Sequence, residues 1–533
     1  MKKIIPIAII SGIFLILVLN RLTREKTHTK VTGGTIIQAS IGDASYLNPV
    51  LASDSASGDI NNLVFNGLLK YDKNLKLTGD LAESWEISDD KLKIIFHLRE
   101  NVLWHDGREF DSSDVKYTYQ VLTDTGTKTP YSSNFDLVKK LTAPGKYTVV
   151  VEYTKPYSPA LESWGMGIIP EHIYRGTDVN NNPHNRKPIG TGPYRFVNWR
   201  SDDQIVLQAF EDYFEGKPGI QKVVYKIIPD ISVQFMELKK ETVDWMSPTP
   251  DQWIKETSKG RFLEKFNRYS FPAFQYTYMG YNLKNSLFSD VRVRKAINYA
   301  LDKEKIIDSV LQGLGNIATG PYPPNSWAYN PKVKDYGHNP KKAKNLLKQA
   351  GWEVNSDTGK LEKNGREFSF TLMTNQGNST RKLTSEIIQA QLREIGMNVD
   401  LRIQEWSSFI HQYIDKKQFD AVVLGWSLSV DPDQYSIWHS SMKKEGQYNF
   451  VGYSNQKVDQ LLEKGRTIFD TGERKRIYQQ VHRIIHDDQP YMFLYVPDTR
   501  HVIHKRFKNI KVEKAGIGYN FIHWYVPQEE RKY

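Results

Sequence analysis

The spacing of apolar residues changes along the chain. Short apolar runs rich in β-branched and aromatic residues and bounded by turns, a pattern typical of strands, occur at Thr35–Gln38 and Lys91–Leu98. A helix capped by Ser112 or Ser113 follows the second of these strands. Turn residues then fill the segment 176–197, which predicts a domain boundary there.

The second half of the chain alternates between helix and strand patterns. A helix is predicted to begin after Asn339, with Pro340 at its first position, and to end at Gly351. Further helices are predicted at 384–396 and 472–488, and strands at 367–374, 397–406 and 421–426. The last strand is continuously apolar, so it should be buried on both faces. This alternation predicts an α/β lobe, in which ligands lie at the carboxyl ends of the strands.

An aromatic loop follows that buried strand. The stretch LGWSLSVDPDQYSIWHSS, residues 424–441, combines two tryptophans with a tyrosine, a histidine, serines and aspartates. Because it lies at a predicted strand end, it is the best candidate for a ligand-binding site.

Composition and charge remove several classes of protein. The length of 533 residues predicts two or three domains. The net charge of +11 is spread along the chain with no nucleic-acid-binding motif, so no nucleic acid partner is expected. The absence of cysteine excludes disulfides, thiolate catalysis and lipid attachment through cysteine.

The N-terminus carries an export or anchoring signal. Lys2 and Lys3 precede the apolar run Ile4–Leu19, and Arg21 and Arg24 follow it. No small-x-small cleavage site is present, which favours an uncleaved signal-anchor and stalk over residues 1–30. The remainder is then expected at the outer face of the cytoplasmic membrane or in the periplasm. Export followed by cleavage is the alternative.

Sequence motifs for catalysis are missing. The chain has no phosphate-binding loop, dinucleotide fingerprint, zinc-protease motif or nucleophile elbow, so neither an enzyme nor a cofactor is predicted. A pair of carboxylates brought together in space stays open, as an exported hydrolase would need. His482 and His486 have metal-ligand spacing on a predicted helix, but a helix C-terminus explains them equally, and no metal site is predicted.

Seven stretches together resemble a known family, the extracellular solute-binding proteins, family 5, of ABC importers, which includes oligopeptide-, dipeptide- and nickel-binding proteins. They occur in the family's order and cover nearly the whole chain after about residue 35. They are GDLAESWEISDD (79–90), IIFHLRENVLWHDGREFDSSDV (94–115), GIIPEHIY (167–174), PIGTGPYRFVNW (188–199), YNLKNSLFSDVRVRKAINYALDKEKII (281–307), DAVVLGW (420–426) and DDQPYMFLYVP (487–497).

The resemblance implies an α/β fold of the periplasmic-binding-protein type II class, a two-lobed clamshell with an extra inserted domain. The implied three domains are a discontinuous lobe I (35–52, 184–272 and 501–533), an inserted domain II (53–183) and an α/β lobe III (273–500). The lobes would close about hinges near Phe271–Met279 and Tyr495–Arg500.

The resemblance also implies ligand-binding residues. Trp426 matches the tryptophan that walls the family's cleft, and Asp431 belongs to a recurrent acidic-proline pair. The remaining candidates are Ser427, Ser429, Trp406, Ser408, Asn375, Tyr46 and Asn66. Ser429 stands where peptide-binding members carry the aspartate that holds the ligand's α-amino group. Either Asp431 replaces that aspartate, or the ligand is anchored differently.

The expected function is that of the substrate-binding component of an ABC importer. It would capture oligopeptides in an interlobe cleft and deliver them, as a monomer, to permease subunits in the cytoplasmic membrane. A receptor for oligosaccharides, metal chelates or haem is the alternative within the fold. A second alternative, from a different functional class, is a peptide sensor that works without a transporter.

Overall fold

A computed structural model of the protein describes residues 33–272 and 274–532. Its α-helices are Ser55–Val64, Ser112–Thr123, Ala160–Ser163, Glu171–Tyr174, Ile231–Lys239, Pro250–Lys255, Gly260–Lys265, Val291–Ala300, Lys303–Leu311, Pro340–Gln349, Ser379–Arg393, Trp406–Ser408, Tyr435–Trp438, Gln456–Thr467 and Thr471–Asp488. A π-helical segment, Phe409–Ile414, continues the helix Trp406–Ser408.

A seven-stranded sheet is assembled from three separate stretches of chain. Its strands, in order across the sheet, are Phe266–Phe271, Thr499–His504, Trp245–Met246, Thr35–Ser40, Lys222–Ile227, Gln204–Ala209 and Tyr194–Arg200. The strand Thr35–Ser40 lies inside this sheet and pairs in parallel with two strands that follow far later in sequence. The first strand of the described chain is therefore held by distant segments.

A four-stranded antiparallel sheet lies beside it, in the order Ala82–Ile87, Lys93–Leu98, Thr148–Tyr153 and Val138–Gly145. A hairpin of Leu69–Tyr71 and Leu77–Gly79 accompanies it. Phe96 and Trp164 of this region belong to the same hydrophobic core as Ile36 and Tyr225 of the seven-stranded sheet. Because the two sheets share one core, we describe them together as the first body.

The second body is built on a six-stranded mixed sheet. Its strands run in the order Gly315–Ile317, Tyr491–Pro497, Gln275–Tyr281, Ala421–Ser427, Ser369–Asn375 and Asn398–Gln404. Two separate apolar cores contain side chains from this sheet. Ala421, Val422 and Val423 are completely buried, which confirms the strand predicted to be covered on both faces. A small sheet of Glu353–Val354, Leu361–Lys363 and Arg366–Glu367 is attached to this body.

Helix ends follow local capping chemistry, with two corrections to the sequence predictions. The helix Ser112–Thr123 is capped by Asp111, whose carboxylate accepts the Ser113 amide, and not by a serine. The helix predicted from residue 384 begins at Ser379, because the Asn378 side chain caps a polar first turn. The helix Pro340–Gln349, capped by Asn339, is as predicted.

The chain crosses between the two bodies twice. It leaves the seven-stranded sheet after Phe271 to enter the other sheet at Gln275, and it returns between Pro497 and Thr499. Gln275 Nε2 donates to Pro497 O at 3.3 Å and to Thr499 Oγ1 at 3.2 Å, so the crossings are tied together. Both fall within the segments predicted to be hinges.

Among residues 33–272 and 274–532, no helix has the length and apolar character needed to cross a membrane. The predicted signal-anchor over residues 1–30 lies outside the described residues.

Candidate ligand-binding cavity

A cavity of about 670 Å³ lies between the two bodies. The first body contributes side chains from 49–62, 131–134 and 159–167, and the second from 275–278, 381, 406–415, 424–437 and 446–450. On the second body these include the carboxyl end of the parallel strand Ala421–Ser427, where ligands of α/β proteins lie. The volume falls within the range of about 300–1,000 Å³ that ligand sites usually have.

Trp426 forms an aromatic wall of this cavity. It is half-buried and lies near the end of the strand Ala421–Ser427. Its ring is parallel to that of Tyr278, with centroids 6.5 Å apart, and meets Tyr448 edge-on at 5.1 Å. Its Nε1 donates to the Tyr491 hydroxyl at 3.3 Å. These contacts fix the ring, so it offers rigid apolar area to a ligand.

Trp438, in the same aromatic loop, has a different environment. It is fully buried, its Nε1 donates to Gln434 Oε1 at 2.7 Å, and its ring packs 4.7 Å from that of Tyr491. It is a core residue of the second body, which leaves Trp426 as the tryptophan of this loop that faces the cavity.

Asp431 lines the cavity, but its carboxylate is already occupied. Arg474 Nη1 donates to Oδ2 at 2.7 Å and Nη2 donates to Oδ1 at 2.8 Å. Asp433, two residues on, accepts from Arg466 Nε at 2.8 Å. Both carboxylates are therefore neutralised from within the second body. One alternative was that Asp431 holds the ligand's α-amino group in place of the aspartate that Ser429 replaces. Its carboxylate is already bound by Arg474.

Glu162 presents a carboxylate to the cavity from the first body. Burial, and then the nearby charge of Asp431, raise the pKa of Glu162 to about 7, although hydrogen bonds from the Tyr71 hydroxyl and the Asp431 backbone amide favour the ionised form. Within the part of the chain that the structure describes, Glu162 forms no ion pair with a lysine, arginine or histidine.

Arg381 presents a cation from the second body. Its Nη1 donates to Asn375 Oδ1 at 2.8 Å, and its guanidinium lies 5.9 Å from the centre of the Trp406 ring. It forms no ion pair with an aspartate or glutamate of residues 33–272 or 274–532. Burial lowers the pKa of Arg381, but an arginine stays protonated in proteins.

The other predicted site residues divide into two groups. Trp406, Ser427 and Ser429 line the cavity with Trp426 and Asp431. Trp406 Nε1 donates across the cavity to Asp54 Oδ1 of the first body at 3.3 Å. Tyr46, Asn66, Asn375 and Ser408 are not part of the cavity wall.

These four have other contacts in the structure. Asn66 is buried and donates to Asp80 and to the Tyr213 hydroxyl, and the ring of Tyr46 meets that of His411 at 5.1 Å. The Ser408 amide donates to the Glu405 carboxylate at 2.8 Å. Asn375 acts on the cavity indirectly, by holding Arg381.

The paired histidines are packing groups of their helix. His482 Nδ1 accepts from the Asn330 amide at 3.2 Å, and burial lowers the pKa of His482 to about 3. His486 Nδ1 donates to Thr319 O at 2.8 Å. No group of three metal-ligating side chains occurs among the described residues.

Comparison with known proteins identifies the family. The model of the "Bacterial extracellular solute-binding proteins, family 5 Middle" matches residues 76–448. The oligopeptide-binding protein AppA of Bacillus subtilis (strain 168) is 37% identical over 512 residues, which cover 93% of this chain and 92% of AppA. The chain belongs to the bacterial extracellular solute-binding proteins, family 5. This confirms the family predicted from the seven stretches.

Solved structures of this solute-binding family share the fold. AppA from Bacillus subtilis in complex with a nonapeptide has a TM-score of 0.89 and 34% identity, covering 93% of this chain and 99% of that one. NikZ from Campylobacter jejuni in complex with Ni(L-His) has a TM-score of 0.83 and 30% identity, covering 92% and 99%. These similarities confirm the predicted α/β periplasmic-binding-protein fold.

Proposed function

We propose that this chain is the substrate-binding component of an ABC importer and that it captures oligopeptides in the cavity between its two bodies. The observation that carries the proposal is the cavity between the two bodies, with an aromatic wall at Trp426 and serine hydroxyls at Ser427 and Ser429. An apolar wall tolerates varied side chains, and nearby backbone and hydroxyl groups can pair with an extended main chain. The similarity to AppA, solved with a nonapeptide, supports the same ligand class.

A division into three domains is part of this proposal. The seven-stranded sheet uses residues of the proposed lobe I, the four-stranded sheet lies within the proposed domain II, and the six-stranded sheet lies within the proposed lobe III. Because the first two sheets share one hydrophobic core, we expect lobe I and domain II to move together. Closure then brings the second body onto the first about the two crossings.

Contacts between the bodies support closure around a ligand as the mechanism. Arg466 Nη1 donates to Ser133 O at 2.9 Å, and the Tyr448 hydroxyl donates to the Tyr131 hydroxyl at 3.0 Å. An ion pair joins Lys128 and Glu445 at 3.1 Å. Such contacts favour the closed form, and a ligand that touches both bodies adds its own affinity to them. No bond is made or broken in this mechanism, so we propose no enzymatic activity.

Arg381 is proposed to recognise a carboxylate of the ligand, at a peptide's C-terminus or on an acidic side chain. Its position in the cavity wall and its lack of an acidic partner among the described residues support this role. A partly buried guanidinium gains a charge-assisted, two-pronged hydrogen bond when a carboxylate arrives.

The remaining elements of the proposal concern location and partners. Family membership supports an exported protein, working outside the cytoplasmic membrane with ABC permease subunits. We propose a monomer, tethered by residues 1–30 or released after cleavage. A metal-chelate receptor is the second candidate, favoured by the similarity to NikZ with Ni(L-His). Because the described residues offer no metal-ligating cluster, the metal would have to arrive with its own chelator.

Intrinsic tryptophan fluorescence tests the proposal, since Trp426 lies in the cavity wall and Trp438 in the core. The full chain, freed of copurifying ligand by unfolding and refolding, is titrated with a pool of random peptides of mixed length. We expect a saturable change that in Trp426→Ala has a smaller amplitude and needs at least about ten times more peptide, with Trp406 as the remaining tryptophan of the cavity wall. A response to nickel–histidine complexes but to no peptide pool would favour the second candidate.

A further inference from the structure

The acidic side chains that line the cavity differ in the groups that already bind them. The lining acidic residues are Asp54, Glu162, Asp415, Asp431 and Asp433. Asp431 and Asp433 are bound by Arg474 and Arg466.

The other two also have side-chain donors. Asp54 caps the helix Ser55–Val64 and accepts from the Ser57 hydroxyl at 2.7 Å and from Trp406 Nε1 at 3.3 Å. Asp415 Oδ2 contacts His411 Nδ1 at 3.1 Å. Within residues 33–272 and 274–532, the hydrogen-bond partners of Glu162 are the Tyr71 hydroxyl and the Asp431 backbone amide.

The position of Glu162 is set by the first body. Its short helix, Ala160–Ser163, packs against the strand Leu69–Tyr71, and the Leu68 amide donates to Trp164 O at 2.8 Å directly after that helix. This packing brings the Tyr71 hydroxyl to the carboxylate. The Asp431 amide reaches the same carboxylate from the second body, so Glu162 lies where the bodies meet around the cavity.

We propose that Glu162, oriented by Tyr71, holds a cationic group of the ligand, the α-ammonium of a bound peptide. This inference rests on the proposed function. An ionised carboxylate can accept about four hydrogen bonds, so two known donors leave room for an ammonium. An ammonium that leaves water needs a carboxylate partner. Among the described residues, Glu162 and Asp54 line the cavity without an ion pair, and Glu162 has fewer donors than Asp54, which accepts from the Ser57 amide, the Ser57 hydroxyl and Trp406 Nε1.

The charges around Glu162 agree with this assignment. The groups that face it are Tyr71 from the neighbouring strand, and Asp431 and Asp433 from the opposing loop. Each of these aspartates is paired with its own arginine, which offsets part of its negative charge. Burial and Asp431 hold the pKa of Glu162 near 7, so the empty cavity carries a partly protonated carboxyl group. An arriving ammonium favours the ionised form, and binding near pH 7 should therefore release protons.

Two peptide pools test the assignment. Both contain random peptides of mixed length, and one is acetylated at every amino terminus. Affinities are measured by calorimetry for the full chain and for Glu162→Gln, with Glu83→Gln, an exposed site on the same body, as the matched charge control. We expect Glu162→Gln to weaken binding of the free-amine pool at least about tenfold and to leave the acetylated pool unchanged. Glu83→Gln should behave as the wild type.

A second measurement separates a binding role from a structural one. Calorimetry of the free-amine pool in buffers of different ionisation enthalpy reports protons released on binding. We expect release in the wild type, more in Tyr71→Phe, because the lost hydroxyl no longer favours the ionised carboxylate of the empty cavity, and none in Glu162→Gln. Wild type and Glu162→Gln that discriminate equally between the pools would overturn the assignment while leaving peptide binding intact. A wild type that binds neither pool would contradict the proposed function and this assignment together.

Discussion

Arg474 donates from both terminal nitrogens to the Asp431 carboxylate, at 2.7 and 2.8 Å, and so fixes the loop that follows the strand Ala421–Ser427. Arg474 belongs to the helix Thr471–Asp488, and only 8% of its side chain is exposed. Its Nε also donates to Gly465 O at 3.1 Å. The aspartate-proline pair of the loop thus has a structural partner, which explains why its carboxylate is not free for a ligand.

Removing the arginine should be costly for stability. In Arg474→Met the Asp431 carboxylate is left largely buried without its partner, and we expect the free energy of unfolding to fall by about 3–5 kcal/mol. Chemical denaturation followed by circular dichroism measures the change. The double variant Asp431→Asn/Arg474→Met should regain part of it, because no unpaired charge remains.

The matched control is the exposed pair of Lys128 and Glu445, where Lys128→Gln should cost about 0–1 kcal/mol. Equal losses at the two pairs would contradict the structural role given to Arg474.

The two tryptophans of the aromatic loop should separate binding from stability. Trp438→Ala empties a fully buried site and should cost about 3–5 kcal/mol of unfolding free energy. Trp426 is half-buried, so Trp426→Ala should cost about 1–2 kcal/mol while weakening peptide binding tenfold or more, on the order of 1.4 kcal/mol per factor of ten. Denaturation curves measure the unfolding free energy of both variants, and calorimetry measures their affinity for peptides. Trp426→Ala that binds peptides normally would remove the ring from the ligand site.

The Arg381 guanidinium in the cavity wall should give the protein a preference for ligands with a free carboxylate. Arg381→Gln removes a charge-assisted hydrogen bond, so binding of peptides with free C-termini should weaken about tenfold. Binding of the same peptides with amidated C-termini should change little. Arg393→Gln, an exposed site on the same helix, is the control. An equal loss for both peptide forms would mean that Arg381 shapes the cavity without recognising the carboxylate.

The stability of the empty protein should depend on pH through Glu162. Its folded-state pKa is raised from 4.5 to about 7, so the folded protein holds a proton that the unfolded chain has already lost in this range. Stability therefore falls as pH rises through this window, and the full penalty is present above it. Glu162→Gln removes the penalty and should be more stable than the wild type at high pH, by on the order of 3 kcal/mol.

Below the lower of the two pKa values, both forms of residue 162 are neutral and the advantage should vanish. Denaturation curves of both proteins across pH give the difference directly. An advantage that stays constant with pH would contradict the raised pKa.

Local patterns predicted much of the second body. A continuous apolar run identified the buried strand Ala421–Ser427, and an asparagine followed by proline identified the start of the helix Pro340–Gln349. These features depend on neighbouring residues only. The cavity residues Trp426 and Trp406 could be predicted for the same reason, because each lies at the end of a predicted strand.

The charged groups of the cavity depend on distant parts of the chain and could not be predicted in this way. Asp431 meets Arg474 across 43 positions, and Glu162 meets the Asp431 amide only when the two bodies come together. Glu162 lies in a four-residue helix whose sequence, ALES, carries no recognisable signal. The loop sequence leaves Asp431 open as one alternative for holding an amine, because Arg474, which binds its carboxylate, lies 43 positions further along the chain.

Native mass spectrometry of the full-length chain, purified from rich medium without stripping of bound ligand, tests the central proposal most directly. We expect a set of adducts whose fragmentation yields amino-acid sequences with free amino termini. Adducts of a single hexose or metal-chelate mass, in place of peptides, would contradict it.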